Sequence, residues 1–144
     1  MDYMIESLKR VPMLAALKPE QLEGLSKLAT TRLYKKGEVI IKQGEPGTGL
    51  FIMLSGSVQV TSKTRPGLPE AKLNVLNKGD FFGEMSLIDG YPRAATVTAI
   101  VDIEVVELNR WVFLDALRRE PNIAVAMLPV LTRRIRQLEE IKPR

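Results

Sequence analysis

The stretch Phe81–Thr96, FFGEMSLIDGYPRAAT, decides how this chain is read. It places a carboxylate, Glu84, an arginine, Arg93, and two small residues, Ala94 and Ala95, in a segment rich in turn-formers. Phe81, Phe82, Met85, Leu87 and Ile88 supply apolar surface between the polar groups. Gly83 lets backbone approach a ligand with no Cβ in the way. An arginine fork matches phosphate oxygens, and exposed backbone N–H groups beside it complete an anion cradle. The upstream carboxylate can accept a hydrogen bond from a sugar hydroxyl. The expected conformation is a short helix over Glu84 to Ile88, closed by Asp89-Gly90, with Tyr91-Pro92 leading back into a sheet.

Outward from this segment the pattern is that of short strands. Val39–Ile41, Leu50–Leu54, Val58–Thr61 and Leu73–Leu76 are apolar runs. Between them lie Lys36-Gly37, Gly44-Glu45-Pro46-Gly47, Ser55-Gly56, Arg65-Pro66-Gly67 and Lys78-Gly79-Asp80, all turn chemistry. After the segment, Val97, Ala99, Val101, Ile103 and Val105 alternate with Thr98, Asp102 and Glu104. That is a half-buried strand, or two strands joined at a bend near Asp102. Short strands repeating at about ten residues indicate a sandwich, barrel or jelly roll.

Both ends read as helix. Ile5, Leu8, Met13, Leu14 and Leu17 keep helical spacing, broken at Pro12, and Leu22, Leu25, Leu28 and Ala29 continue it after Pro19. Trp111, Phe113, Leu114 and Leu117 form a stripe ended by Glu120-Pro121, which puts Trp111 in the core. From Asn122 to about Ile141, the residues Ala124, Leu128, Leu131, Ile135 and Leu138 follow a coiled-coil seam, which Pro129 should kink or divide. The expected organisation is one domain over 1–144, with N-terminal helices (1–30), a β-roll (31–109) and C-terminal helices (110–142).

Composition narrows the chemistry. The 144 residues are 45% hydrophobic and 26% charged, ordinary for a folded protein. With no cysteine there is no disulfide or thiolate chemistry, and with no histidine the commonest general base and metal ligand are missing. A catalytic role is therefore not expected. The net charge of +4 reads as a solvated surface that leans basic. No run approaches the roughly 18 apolar residues of a membrane span, and no basic-then-apolar signal opens the chain, so a cytoplasmic protein without membrane contact is expected. Arg133-Arg134-Ile135-Arg136, followed by Glu139-Glu140, reads as a solvated helix face, with no recognition helix beside it.

The ordered run FGE, short helix, PRAAT across Phe82–Thr96 resembles the phosphate-binding cassette of cyclic-nucleotide-binding domains. The likeness is strongest to regulatory subunits of cyclic-AMP-dependent protein kinase and extends to the ligand domains of catabolite-activator (CRP/FNR-type) regulators. It covers nearly the whole chain, including TRLYKKGEVIIKQGEPGTGLFIMLSGSVQV over Thr31–Val60. The resemblance implies a mainly β fold: a jelly-roll β-roll (double-stranded β-helix) with N-terminal helices and two C-terminal helices; the winged helix-turn-helix that follows in the family's DNA-binding members is not expected here, since the chain stops at Arg144. It implies a regulatory sensor that binds cyclic AMP first and cyclic GMP second, needs no cofactor, and signals through the cassette and C-terminal helices.

The same resemblance assigns roles. Arg93 pairs bidentately with the cyclic phosphate, and Glu84 accepts from the ribose 2′-hydroxyl; the bland readings are a surface arginine, and a turn carboxylate or internal partner of Arg93. Phe82, Gly83, Met85, Ser86, Ala94 and Ala95 act as backbone donors or close-approach positions. Val60, Leu73 and Leu76 face the nucleotide from the strands, or are plain core. Ala94 lacks the hydroxyl that cyclic-GMP binders often use on guanine, which indicates the cyclic-AMP type. On the last helix Arg134, Leu138 and Ile141 are candidates to cap the base or set dimer contacts, Leu138 standing where the catabolite activator has a base-bonding threonine. Expected partners are a second copy through the last helix and an output protein of unknown identity, with no direct DNA binding. The rival functions are the effector half of a transcription regulator, and a roll that binds another ligand or none.

Overall fold

Strands buried on both faces explain the apolar runs LFIML and IEVVEL, because each must serve two cores at once. A computed structural model describes residues 2–141. Three short N-terminal helical pieces come first: α1 (Asp2–Lys9), a 3-10 turn (Pro12–Leu14) and α2 (Pro19–Ser26). Eight strands follow: β1 (Thr30–Tyr34), β2 (Val39–Ile41), β3 (Gly49–Ser55), β4 (Ser57–Ser62), β5 (Ala71–Asn77), β6 (Phe81–Phe82), β7 (Thr96–Ala99) and β8 (Ile103–Asn109). A 3-10 helix, Glu84–Leu87, lies between β6 and β7, and α3 (Arg110–Arg119) and α4 (Asn122–Ile141) follow the roll. The end expected at Lys142 lies outside the described residues.

The strands form two antiparallel four-stranded sheets, in the orders β1-β8-β3-β6 and β2-β7-β4-β5. Phe51, Met53, Ile103 and Val105 face the space between the sheets, where Val58, Val97 and Ala99 meet them from the second sheet. Leu50, Ile52, Val106 and Leu108 point the other way, onto the helices, where they pack with Leu8, Leu14, Leu25, Phe113 and Met127. The period of two in β3 and β8 thus assigns alternate residues to two different cores. This is the expected β-roll, and among the described residues no helix is long and apolar enough to cross a membrane.

Three expectations need correction. Val101 does not continue the inward face: it is 43% exposed in a bend where Asp102 accepts a hydrogen bond from Lys36 N, 2.9 Å. The chain changes sheets there, so β7 and β8 are separate strands. Trp111 is not a core anchor but 58% exposed, with the Arg110 guanidinium 5.9 Å from its ring centroid. Two residues of helix rotate about 200°, so it stands opposite the buried Phe113. Pro129 does not divide α4. The carbonyl that loses its helical donor belongs to Val125, an exposed residue, where water can take the bond.

The coiled-coil spacing on α4 has an unexpected position. Ile123, Met127 and Val130 are the residues buried against the protein's own core, while Leu128, Ile135 and Leu138 of the seam are exposed. Asn109 starts α3 firmly, its Oδ1 accepting from Trp111 N at 2.9 Å and Val112 N at 3.3 Å.

Candidate functional site

The cassette is anchored at its start by β6, which pairs Phe82 with Phe51 and Phe81 with Ile52. The Phe51 and Phe82 rings stack with centroids 5.1 Å apart and planes 9° from parallel. Gly83 then turns the chain at φ +80 into the 3-10 helix. At the far end the cassette is bound by a strap, residues 44–49: Gly44 N donates to Arg93 O and Arg93 N to Glu45 O, each at 2.8 Å. Gly47 N donates to the carbonyls of Gly90 and Tyr91, and Pro46 bridges Pro92. Between these elements lies a cleft of about 350 Å³, floored by Ile41, Val60 and Val97 and walled by the cassette from Phe81 to Ser86 and from Tyr91 to Ala95.

Arg93 is 7% exposed yet lines this cleft. Its Nη1 donates to Ser86 Oγ at 2.8 Å and its Nη2 to Gly49 O at 3.1 Å, with Thr48 Oγ1 at 3.5 Å. All three partners are neutral, and no carboxylate forms an ion pair with Arg93 among the described residues. Burial lowers its pKa below the ordinary arginine value, because desolvation disfavours the cation. The guanidinium still remains charged, since arginine starts so high. A buried cation held only by neutral dipoles beside a cleft is an arrangement whose charge an anion in the cleft would balance. Ala94 and Ala95 give their N–H groups to no other backbone carbonyl among the described residues, which leaves donors next to the guanidinium.

Glu84 opens the 3-10 helix, and its Oε1 forms an ion pair with Arg134 Nη2 at 3.1 Å. The alternative in which Glu84 pairs internally with Arg93 is not what forms. Both outer atoms of the pair, Glu84 Oε2 and Arg134 Nη1, are buried without a partner. The contact is therefore monodentate and leaves two polar groups unsatisfied, a state with an unmet demand for hydrogen bonds. It also ties α4 directly to the cassette.

The structure gathers Phe82, Gly83, Glu84, Met85, Ser86, Arg93, Ala94, Ala95 and Val60 around one cleft. It leaves out Leu73 and Leu76. Leu73 is 59% exposed on β5, the edge strand. The β4–β5 register sets Asn74 opposite Val60, and residues directly opposed share a face, so Leu73 turns to the other side. Leu76 lies opposite Val58 and packs on the inter-sheet core. Leu138 is 62% exposed and lines no part of the cleft; Arg134 reaches the site through Glu84 instead.

Residue-level reading missed Gly47, Thr48 and Gly49, visible beforehand only as a turn-rich run, and Arg110. Arg110 Nη2 donates to Ile88 O at 3.2 Å, so the start of α3 holds the end of the cassette helix. Gly83 has a strict backbone demand: a Cβ there would lie 2.5 Å from Gly49 O and 2.6 Å from Arg93 Nη1. We expect Gly83→Ala to cost at least about 1–2 kcal/mol from the left-handed backbone alone, read by denaturant titration. Displacement of Arg93 should weaken anion binding in the same variant.

Comparison with known proteins agrees with this geometry. The family model described as the cyclic nucleotide-binding domain matches residues 31–120. The chain is 35% identical over 132 residues to the cyclic AMP receptor protein of Thermus thermophilus, covering 92% of this chain and 61% of that protein. It is 39% identical over 103 residues to the cAMP-dependent protein kinase regulatory subunit of Debaryomyces hansenii, covering 72% of this chain and 22% of that one. The chain thus spans about three fifths of the first relative and about a fifth of the second. Among solved structures, the N-terminal domain of a transcriptional regulator from Streptomyces coelicolor superposes with a TM-score of 0.83 at 30% identity, over 93% of both chains.

Proposed function

Because the chain belongs to the cyclic nucleotide-binding domain family, we propose that it is a regulatory sensor whose ligand is cyclic AMP. The observation that carries this reading is Arg93: a buried guanidinium without a carboxylate partner, facing a cleft with an apolar floor. A cyclic phosphodiester supplies one permanent negative charge of the right size. Its oxygens meet the Arg93 fork and the free N–H groups of Ala94 and Ala95. The ribose 2′-hydroxyl donates to Glu84, and the purine lies toward Val60 and Ile41. Ala94 offers no hydroxyl to a guanine amino group, which favours cyclic AMP over cyclic GMP.

Signal transfer follows from the partner that Glu84 already has. A sugar hydroxyl that engages Glu84 changes the contact with Arg134 and so the docking of α4 on the cassette. The ligand shifts that equilibrium only to the extent that it binds one arrangement better than the other. The exposed seam residues Leu128, Ile135 and Leu138 on α4 suit a second copy of the chain, which would carry the change across a dimer. The role is regulatory, with no chemical step on the nucleotide and no cofactor; the output protein acts downstream of α4.

Titration calorimetry tests the reading. Cyclic AMP should bind one site per chain, more tightly than cyclic GMP and far more tightly than acyclic 5′-AMP. Absence of heat and of thermal stabilisation with millimolar cyclic AMP overturns it.

A further inference from the structure

We propose that the groove between the β2–β3 connection and the β4–β5 hairpin docks an acidic peptide segment of the protein that this chain regulates, and that docking there is coupled to the nucleotide cleft. This rests on the regulatory reading above and names the chemistry of its partner. The groove, about 420 Å³ in volume, is lined by Lys42 from the connection and by Lys63 and Arg65 from the hairpin, against a single carboxylate, Glu70. All four residues are exposed, and none of them forms an ion pair among the described residues. The two walls are fastened together: Gln43 Nε2 donates to Lys63 O at 2.8 Å, and Lys63 N donates to Gln43 Oε1 at 2.9 Å. The backbones that carry Lys42 and Lys63 are therefore held side by side, and like charges placed together raise the local positive potential.

The distribution of charge selects the partner. A lone phosphate suits converging, buried donors, whereas exposed cations on two loops attract a chain that carries several negative charges. Nucleic acid fits less well, because no aromatic side chain lines the groove to stack a base and Glu70 repels phosphates. A peptide bearing glutamates or aspartates needs no stacking, and its backbone N–H groups can donate to Glu70. The groove also touches the segment that carries Arg93. Thr96 lines it and accepts at Oγ1 from Gln43 N, 3.0 Å. Ser62, beside Lys63, donates from its Oγ to Ala94 O at 3.3 Å. The groove and the cleft thus share the residues that follow Arg93. A shift of that segment on nucleotide binding changes the spacing of the cations, and peptide binding acts back on the nucleotide by the same factor.

Fluorescence anisotropy on the full chain tests this with a labelled octapeptide of alternating glutamate and serine. The peptide should bind at low salt and lose affinity several-fold toward about 1 M salt, where the screening length falls to about 3 Å. The triple variant Lys42→Glu, Lys63→Glu, Arg65→Glu should weaken it by about tenfold or more. The same change of net charge placed elsewhere, by Lys9→Glu, Lys36→Glu and Arg118→Glu, should weaken it by no more than about twofold. Saturating cyclic AMP should change the peptide affinity by about fivefold or more. No binding of the peptide by the wild type overturns the proposal. Equal losses in the two triple variants also overturn it, because attraction then follows net charge alone, as does tighter binding of a single-stranded DNA of equal charge. A peptide affinity that cyclic AMP leaves unchanged while itself binding refutes the coupling. If cyclic AMP fails to bind, the nucleotide reading falls, while peptide binding lost only in the groove variant still supports an acidic docking surface.

Discussion

Arg93→Ala should lower the affinity for cyclic AMP by roughly 30-fold or more, and the ligand should no longer raise the melting temperature. Truncating one member of a buried charge pair costs about 2–5 kcal/mol, and each 1.4 kcal/mol is about tenfold in affinity. The upper part of that range applies where the charge is buried and its remaining partners are neutral, as they are here. Arg93→Lys separates charge from geometry. It keeps a cation but loses the fork, so its affinity should fall between wild type and alanine. Titration of the three proteins with cyclic AMP decides the point, and equal affinity for wild type and Arg93→Ala would refute the site. In the free protein the alanine variant leaves Ser86 Oγ and Gly49 O without their donor but also removes a desolvated cation. These effects oppose each other, so the large change should appear in binding and not in the unliganded fold.

Glu84→Ala has the second-largest expected effect, and it falls on sugar discrimination. The wild type should prefer cyclic AMP to 2′-deoxy cyclic AMP by about 10- to 100-fold, corresponding to a hydrogen bond to a charged group of about 1.5–3 kcal/mol. In Glu84→Ala the preference should vanish, with cyclic AMP binding falling to the level of the deoxy ligand. A variant that still discriminates would show that another group reads the hydroxyl. The same substitution removes the ion-pair partner of Arg134, and that side chain is 38% exposed. Arg134 can then turn to water, so the stability cost should be small while hydrogen exchange in α4 rises. Binding and helix protection would thus change together from one carboxylate, as the proposed coupling demands.

Local chemistry made much of the cleft's lining legible in advance. Glu84, Arg93, Ala94 and Ala95 lie within one continuous segment, and their types and order carry the anion-binding logic without reference to the rest of the chain. The β-roll was legible for a similar reason: turn residues and alternating apolar positions are properties of short windows. Leu73 failed because facing depends on register across two strands, and a slip between Val60 and Thr61 is invisible in either strand alone. Trp111 failed because a stripe drawn through apolar letters ignored the helical angle to Phe113. Pro129 leaves α4 undivided because its missing hydrogen bond falls on a solvent-facing turn.

The amino-acid sequence by itself determined the kind of fold, the segment that walls the cleft and the positive charge set within it, because each of these follows from residue type and spacing over a few positions. Only the tertiary structure decided who completes the site. The strap at Gly47–Gly49 lies some forty residues before Arg93, and Arg134 meets Glu84 from a helix fifty residues later. Which distant groups satisfy a buried ion depends on the packing of two sheets and a helix around it, a sum over long-range contacts that no local pattern contains.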